Sequence, residues 1–136
     1  MTDTVALQGG CLCGAVRYTA TAMPFARDYC HCRMCQRCTG APVSAWMDFK
    51  VEQLQWHNDD QLREYASTAD IRRGFCTQCG ATLTFRSVSH PQYLTLAITS
   101  LDHPEQFQPT YHIYTESQLP WLNIDDDCKR YPQGQT

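Results

Sequence analysis

The sequence lacks the features that mark membrane, secreted and nucleic-acid-binding proteins. No apolar stretch approaches the roughly 18–20 residues that a helix needs to span a bilayer, so we expect no membrane insertion. The first ten residues contain no basic segment followed by an apolar run, so we expect no secretory signal peptide. The net charge is −3, which disfavours a nucleic-acid partner because phosphate binding requires a basic face. The expected location is cytoplasmic.

Helical periodicity and the common catalytic signatures are also missing. The chain shows no paired-carboxylate signal, no glycine-rich phosphate loop and no nucleophilic serine motif. One helical turn is predicted at 34–40, and strand patterns are predicted at 15–20, 42–49, 93–98 and 111–114, separated by turn residues. We therefore predict a mainly β single domain over residues 1–136. Its core covers about 5–125 and its C-terminal tail about 126–136, of which the segment 131–136 is expected to fray.

Cysteine, in contrast, is abundant, with nine residues in a chain of 136. A reducing cytoplasm and an odd count both argue against a complete disulfide framework. A redox C-x-x-C motif is expected at the start of a helix in a βαβ unit, which a strand-rich chain does not provide. The spacing instead favours metal binding. The groups are Cys11-x-Cys13, Cys30-x-Cys32-x-x-Cys35-x-x-Cys38, Cys76-x-x-Cys79 and the isolated Cys128.

Two of these groups together complete a structural zinc site. Side chains alternate along an extended chain, so both sulfurs of a C-x-C motif lie on one face. A C-x-x-C motif wraps a tight turn, and Gly80 can close that turn with a positive φ. Structural zinc takes four ligands in a tetrahedron. Cys11, Cys13, Cys76 and Cys79 are therefore predicted to hold one structural zinc ion; we call these residues the quartet.

The same reasoning predicts a second zinc site at Cys30, Cys32 and Cys35, which we call the trio. Three protein ligands and a vacant position are typical of catalytic zinc. We expect this site to lose its ion or to oxidise before the quartet does. Two interpretations of Cys38 stay open: it is a small core residue or a fourth zinc ligand. Free cysteine is often buried, which favours the core position. Cys128 is predicted to pack in the core or to be a surface thiol.

Four stretches carry a resemblance to a known family: GGCLCGAVRY, CHCRMCQRCTGAP, FCTQCGATL and HIYTESQLPW, in this order between residues 9 and 121. Together they resemble the glutathione-dependent formaldehyde-activating enzyme family, which includes centromere protein V-like domains. The resemblance implies a zinc-containing Mss4-like fold of antiparallel sheets. It also implies a structural zinc at the quartet and a second, catalytic zinc at the trio. Cys38 departs from the family pattern, which has a small residue other than cysteine there.

The activity that the resemblance implies is addition of a thiol, glutathione, to a small aldehyde, formaldehyde, by a carbon–sulfur lyase. Arg33 and His112 are the candidate substrate-binding residues. A solvated arginine and a structural histidine are the alternatives. Arg37, Arg72 and Arg73 are further cations near the cysteines. Two other function classes compete: a non-catalytic zinc scaffold that binds a protein partner, and a methionine sulfoxide reductase, which needs a reactive cysteine outside the metal sites.

Overall fold

A computed structural model describes residues 5–134 of the protein. Residues 1–4 and 135–136, which the predicted domain includes, lie outside the described residues. Within residues 5–134 no helix is long and apolar enough to cross a membrane. The strands and the helix of this range, in chain order, are β1 (Leu7–Gly10), β2 (Arg17–Ala20), β3 (Ala26–Cys30), α1 (Arg33–Thr39), β4 (Ser44–Lys50), β5 (Leu54–Asn58), β6 (Leu62–Ala66), β7 (Ile71–Cys76), β8 (Thr82–Ser87), β9 (Tyr93–Ala97), β10 (Tyr111–Ile113) and β11 (Lys129–Arg130).

The strands form two sheets. The small sheet has the order β1-β2-β5, and the large sheet has the order β11-β10-β3-β4-β9-β8-β7-β6. Every pairing is antiparallel except those of β10, which runs parallel to both β3 and β11. The prediction of a mainly β fold built on antiparallel sheets is thus confirmed, and β10 is the departure from it.

The two faces of the large sheet have different environments. On β4, Met47 and Phe49 are fully buried in the cluster that also holds Tyr18 of the small sheet. Side chains alternate along a strand, so Trp46 and Asp48 lie on the opposite face. The small sheet therefore covers one face of the large sheet. The small sheet leaves the opposite face of the large sheet uncovered.

Helix α1 begins next to Cys32 and carries Cys35 and Cys38. The Sγ atom of Cys32 accepts the backbone N–H of Cys35 at 3.2 Å, which satisfies a donor that the first turn leaves without a helical partner. The helix ends at Thr39, and Gly40 caps it in the left-handed region. The predicted helical turn is confirmed. Because Cys35 packs against Trp46 of β4, α1 lies on the open face of the large sheet.

The C-terminal segment differs from the predicted frayed tail. Strand β11 pairs with β10, and the backbone N–H of Tyr131 donates to the carbonyl of His112 at 2.9 Å. Further along, the N–H of Tyr114 donates to the carbonyl of Gln133 at 3.0 Å. These hydrogen bonds tie the segment to the edge of the large sheet as far as residue 133, because an edge strand presents unpaired backbone groups.

Candidate functional site

The quartet sulfurs lie close together. All four ligand atoms lie within 4.8 Å of one another. The Sγ atoms of Cys11 and Cys13 are 3.6 Å apart, and those of Cys13 and Cys76 are 3.8 Å apart. A tetrahedral zinc with zinc–sulfur bonds of about 2.3 Å requires sulfur–sulfur separations of about 3.8 Å. The donor set therefore fits zinc in both chemistry and spacing.

Local backbone geometry holds these sulfurs in place. The N–H of Gly80 donates to the carbonyl of Cys76 at 2.7 Å, and Gly80 has φ 76°, the positive φ predicted from its position. Backbone N–H groups also point at sulfur: Val16 donates to Cys11 Sγ at 3.3 Å. A hydrogen bond from the backbone of Ala81 leads the causes that lower the pKa of Cys79 to about 6. The backbone thus stabilises thiolates here, the form that binds a metal.

The trio forms where β3 ends and α1 begins. Its three sulfurs also lie within 4.8 Å of one another. Hydrogen bonds from Cys30 and then Cys35 lower the pKa of Cys32, which concentrates negative charge on the half-buried middle sulfur. Arg73, which is only 5% exposed, donates from Nη1 to Cys35 Sγ at 3.5 Å. The hydrogen bond with Cys30 and the donation from Arg73 favour the thiolate of Cys35. The hydrogen bond with Cys32 and burial oppose them and together raise the pKa of Cys35. The trio therefore also fits a cation such as zinc.

The trio opens onto a larger cavity than the quartet, of which Cys11 lines a separate cavity of about 360 Å³. The trio's cavity measures about 590 Å³, and all three trio cysteines line it. Its floor is the open face of the large sheet, with Trp46 of β4 and Phe85 of β8. Arg33 and Arg73 line the same cavity. A small molecule that enters would meet sulfur, aromatic surface and positive charge together.

Two carboxyl groups line the same cavity, although the sequence carries no paired-carboxylate signal. Asp28 and Asp48 lie on adjacent strands, with Asp28 opposite Trp46 in the β3–β4 register. Burial first, and then the charge of Asp48, raise the pKa of Asp28 to about 8. Burial also raises the pKa of Asp48. Neither motif nor spacing indicates this pair in the sequence, because it is formed by strand pairing between residues far apart in the chain.

The structure separates the two predicted substrate residues. Arg33 is exposed and lines the cavity, with Nη1 donating to Gln36 Oε1 at 2.6 Å. His112 is fully buried and does not line the cavity, whereas its neighbours Tyr111 and Ile113 do. The alternation of β10 turns His112 to the other face of the sheet. His112 therefore lies outside the cavity, and its position does not support the expected direct contact with substrate.

The two remaining cysteines lie outside the trio and the quartet. Cys38 is exposed beside a second cleft, which Arg37 and Tyr65 also line, and it does not join the trio's ligand group. Three residues of α1 place Cys38 about 4.5 Å further along the helix axis than Cys35, away from the end of β3 where the trio lies. Both the favoured core packing and the fourth-ligand alternative are thus corrected. Cys128 is half-buried, with Sγ 3.6 Å from the carbonyl oxygen of Pro109.

His112 belongs to a buried polar chain that the sequence analysis missed. His31 Nε2 and His112 Nδ1 are 2.9 Å apart, and His112 Nε2 is 2.9 Å from Asp126 Oδ2. Burial and then the neighbouring His112 lower the pKa of His31 to about 4. A faint sequence signal does exist, since apolar Leu122 and Ile124 alternate with polar Asn123 and Asp125, and this alternation puts Asp126 on the apolar side. His31, at one end of these contacts, lies between the trio ligands Cys30 and Cys32 in the sequence.

Replacement of Asp126 by alanine is expected to lower the free energy of unfolding by about 2–3 kcal/mol, because it leaves buried His112 Nε2 without its acceptor. Urea unfolding measures the change. Asp125→Ala and Asp127→Ala are matched controls, since both residues are exposed in the same acidic run. We expect each control to stay within about 0.5 kcal/mol of the parent. Equal unfolding midpoints for all three variants would show that the buried chain contributes nothing.

Comparisons with known proteins agree with these features. An uncharacterised lyase of Schizosaccharomyces pombe is 30% identical over 78 residues, which is 57% of this chain and 56% of that protein. The chain thus spans little more than half of that relative. A Halomonas elongata protein named "Putative glutathione-dependent formaldehyde-activating enzyme" is 24% identical over 127 residues, covering 88% of this chain and 81% of that one.

A solved structure and a family profile complete the comparison. The crystal structure of a Rhodobacter sphaeroides protein matches with a TM-score of 0.62 over 77% of this chain and 98% of that chain. At 20% identity this likeness shows a shared fold. The profile described as glutathione-dependent formaldehyde-activating enzyme matches residues 6–117, which is most of the chain and includes both cysteine groups. The chain therefore belongs to the glutathione-dependent formaldehyde-activating enzyme family.

Proposed function

We propose that the protein is a zinc-dependent carbon–sulfur lyase that joins glutathione to formaldehyde in a reducing cytoplasm, with one structural and one catalytic zinc. The observation that carries this proposal is that the trio lines a cavity of about 590 Å³ while the quartet lies outside that cavity. The names of the Halomonas and yeast relatives support the same reaction class. A cavity of this volume is in the range typical of small-molecule sites.

The two sets of cysteines have different roles in this proposal. Cys11, Cys13, Cys76 and Cys79 would hold a zinc that links the β1–β2 turn to the β7–β8 turn. Cys30, Cys32 and Cys35 would hold the second zinc. When bound, that ion would act as a Lewis acid and lower the pKa of a thiol at the site.

The protein's own residues prepare the cavity for an anionic thiol. Arg73 sits under the trio, where its donation to Cys35 Sγ holds positive charge beside the sulfurs. Arg33 adds a second cation at the cavity, where a substrate carboxylate would find a counter-charge. Trp46 and Phe85 supply an apolar floor, which lowers the local dielectric and strengthens these interactions.

The test is the rate at which glutathione and formaldehyde interconvert with S-hydroxymethylglutathione, measured by exchange NMR. We expect zinc-loaded protein to accelerate exchange in proportion to its concentration, and metal analysis to give two zinc ions per chain. Cys38→Ser, a change at an exposed thiol outside the trio, should accelerate exchange as much as the parent protein does. Exchange at the uncatalysed rate with fully loaded protein would remove the formaldehyde assignment. It would then favour the scaffold alternative.

A further inference from the structure

The cavity contains two carboxyl groups that lack a counter-ion. Asp28 is 5% exposed, and its Oδ1 has no hydrogen-bond partner within residues 5–134. Asp48 accepts one hydrogen bond at 2.6 Å, from Thr95 Oγ1 to Oδ1. In the same described range, no lysine, arginine or histidine forms an ion pair with either carboxyl group. Neighbouring buried carboxyl groups repel when ionised, so a cation that reaches them would be held strongly.

Asp48 is the member of the pair that a ligand meets first. It is half-buried and lines the cavity, whereas Asp28 is almost fully buried. The Tyr111 hydroxyl lies at 3.5 Å from Asp28 Oδ2, which leaves the carboxyl pair with more acceptors than donors. An alkylammonium group offers three N–H donors and a positive charge. Its hydrogen bonds to a carboxylate are stronger than those between neutral groups.

The strand register gives the distance between these carboxyl groups and the trio. Asp28 is two residues before Cys30 on β3, or about 7 Å along the strand. Asp48 is opposite Ala26 of β3. Ala26 is four residues before Cys30, so Asp48 lies about 13 Å from Cys30 along the strand direction. In glutathione, about eight covalent bonds separate the sulfur from the γ-glutamyl amine, which extends to about 9 Å. A thiol at the trio can therefore place its amine between these two positions.

We propose that Asp28 and Asp48 form an ammonium-binding subsite for the free amino group of the substrate's γ-glutamyl end. The inference rests on the proposed function, because that function places the thiol at the trio. The two ends of the cavity then complement the two ends of the substrate. Arg33 and Arg73 face the substrate's carboxylate and thiolate, and Asp28 and Asp48 face its amine. The substrate class is a thiol that carries a free amine about eight bonds from sulfur, and N-acylated or des-amino thiols are excluded.

Calorimetric binding to the zinc-loaded protein tests the subsite without any turnover. The two probes are S-methylglutathione and its N-acetyl derivative, which differ in the charge of the amine. We expect N-acetylation to weaken binding roughly tenfold or more, since a charged hydrogen bond is lost. Asp48→Asn should weaken the binding of S-methylglutathione to a similar extent, so that the two probes bind with equal affinity. Asp59→Asn, an identical change at an exposed turn, should keep the parent discrimination.

Three results would overturn the subsite. These are equal binding of both probes by the parent protein, discrimination that survives in Asp48→Asn, and no measurable binding of S-methylglutathione. The first and third need no variant, so a misfolded variant cannot obscure the answer. Failure of the proposed reaction gives a different pattern. The probes would still be discriminated, while glutathione and formaldehyde would exchange at the uncatalysed rate.

Discussion

Replacement of Cys76 by alanine is expected to leave the protein without a cooperatively folded state at room temperature. Cys76 is fully buried and ends β7, where it shares the quartet with Cys11 and Cys13 of the β1–β2 turn. Structural zinc supplies about 10–16 kcal/mol in small zinc domains, and a whole domain is stable by only about 5–15 kcal/mol. Loss of even part of the metal contribution therefore removes most of the net stability.

The β1–β2 turn explains why the effect should spread through the fold. The large sheet is covered on one face by the small sheet, and Tyr18 of β2 is fully buried between the two. The quartet joins this small sheet to the β7–β8 turn of the large sheet. Without that link, β1 and β2 keep the apolar contact between the sheets, the pairing of β2 with β5, and exposed contacts such as the Arg17–Asp102 ion pair, which contribute little.

Circular dichroism, two-dimensional amide NMR and metal analysis check this expectation. Cys76→Ala should give collapsed amide dispersion and fewer than two zinc ions per chain. A zinc chelator added to the parent protein should produce the same spectrum. Cys38→Ala is the matched control, because Cys38 is exposed and should leave both measurements unchanged. A native spectrum for Cys76→Ala with unchanged zinc content would rule out a structural role for the quartet.

The cysteine clusters and four strands could be predicted because their signals are local. A C-x-C and a C-x-x-C motif fix where two sulfurs point, whatever the rest of the chain does. The segments that became β2, β4, β9 and β10 combine alternation with β-branched and aromatic residues. The order in which these strands meet is not local. The parallel placement of β10 between β3 and β11 therefore had no sequence signal.

Strand β7 shows why other elements escaped prediction. It contains Arg72, Arg73 and Gly74 in a row, which resembles an exposed polar segment. Arg73 is nonetheless buried, because it donates to Cys35 Sγ and lies over the Phe85 ring, 5.1 Å from its centroid. The stabilising partners are a sulfur on a distant helix and an aromatic ring on the next strand. Sequence patterns assign arginine to the surface because they contain no record of such partners.

The carboxyl pair in the cavity also depends on contacts between residues that are distant in the sequence. Asp28 and Asp48 become neighbours only through the antiparallel register in which Asp28 is opposite Trp46. A shift of one residue in that register would turn one of them into the core. The sequence therefore predicts the sulfur end of the site, whose spacing is local. It does not predict the acidic end, whose geometry depends on strand pairing.

The second large effect is expected for Cys32→Ser, which should abolish acceleration of the glutathione–formaldehyde reaction while the fold is kept. Cys32 is half-buried at the cavity and lies outside the two-sheet core, so its replacement leaves the packing of the sheets intact. Lewis-acid catalysis contributes several kcal/mol, and each 1.36 kcal/mol is tenfold in rate, so the rate should fall by about 10²–10⁴-fold.

Exchange NMR and zinc content measured on the same sample separate this effect from unfolding. Cys32→Ser should keep dispersed amide signals, bind one zinc ion instead of two, and exchange at the uncatalysed rate. Cys128→Ser, a change at a half-buried thiol outside both clusters, should keep two zinc ions and the parent rate. Parent-like acceleration by Cys32→Ser would move the chemistry away from the trio. A loss of amide dispersion equal to that of Cys76→Ala would instead show that both clusters are structural.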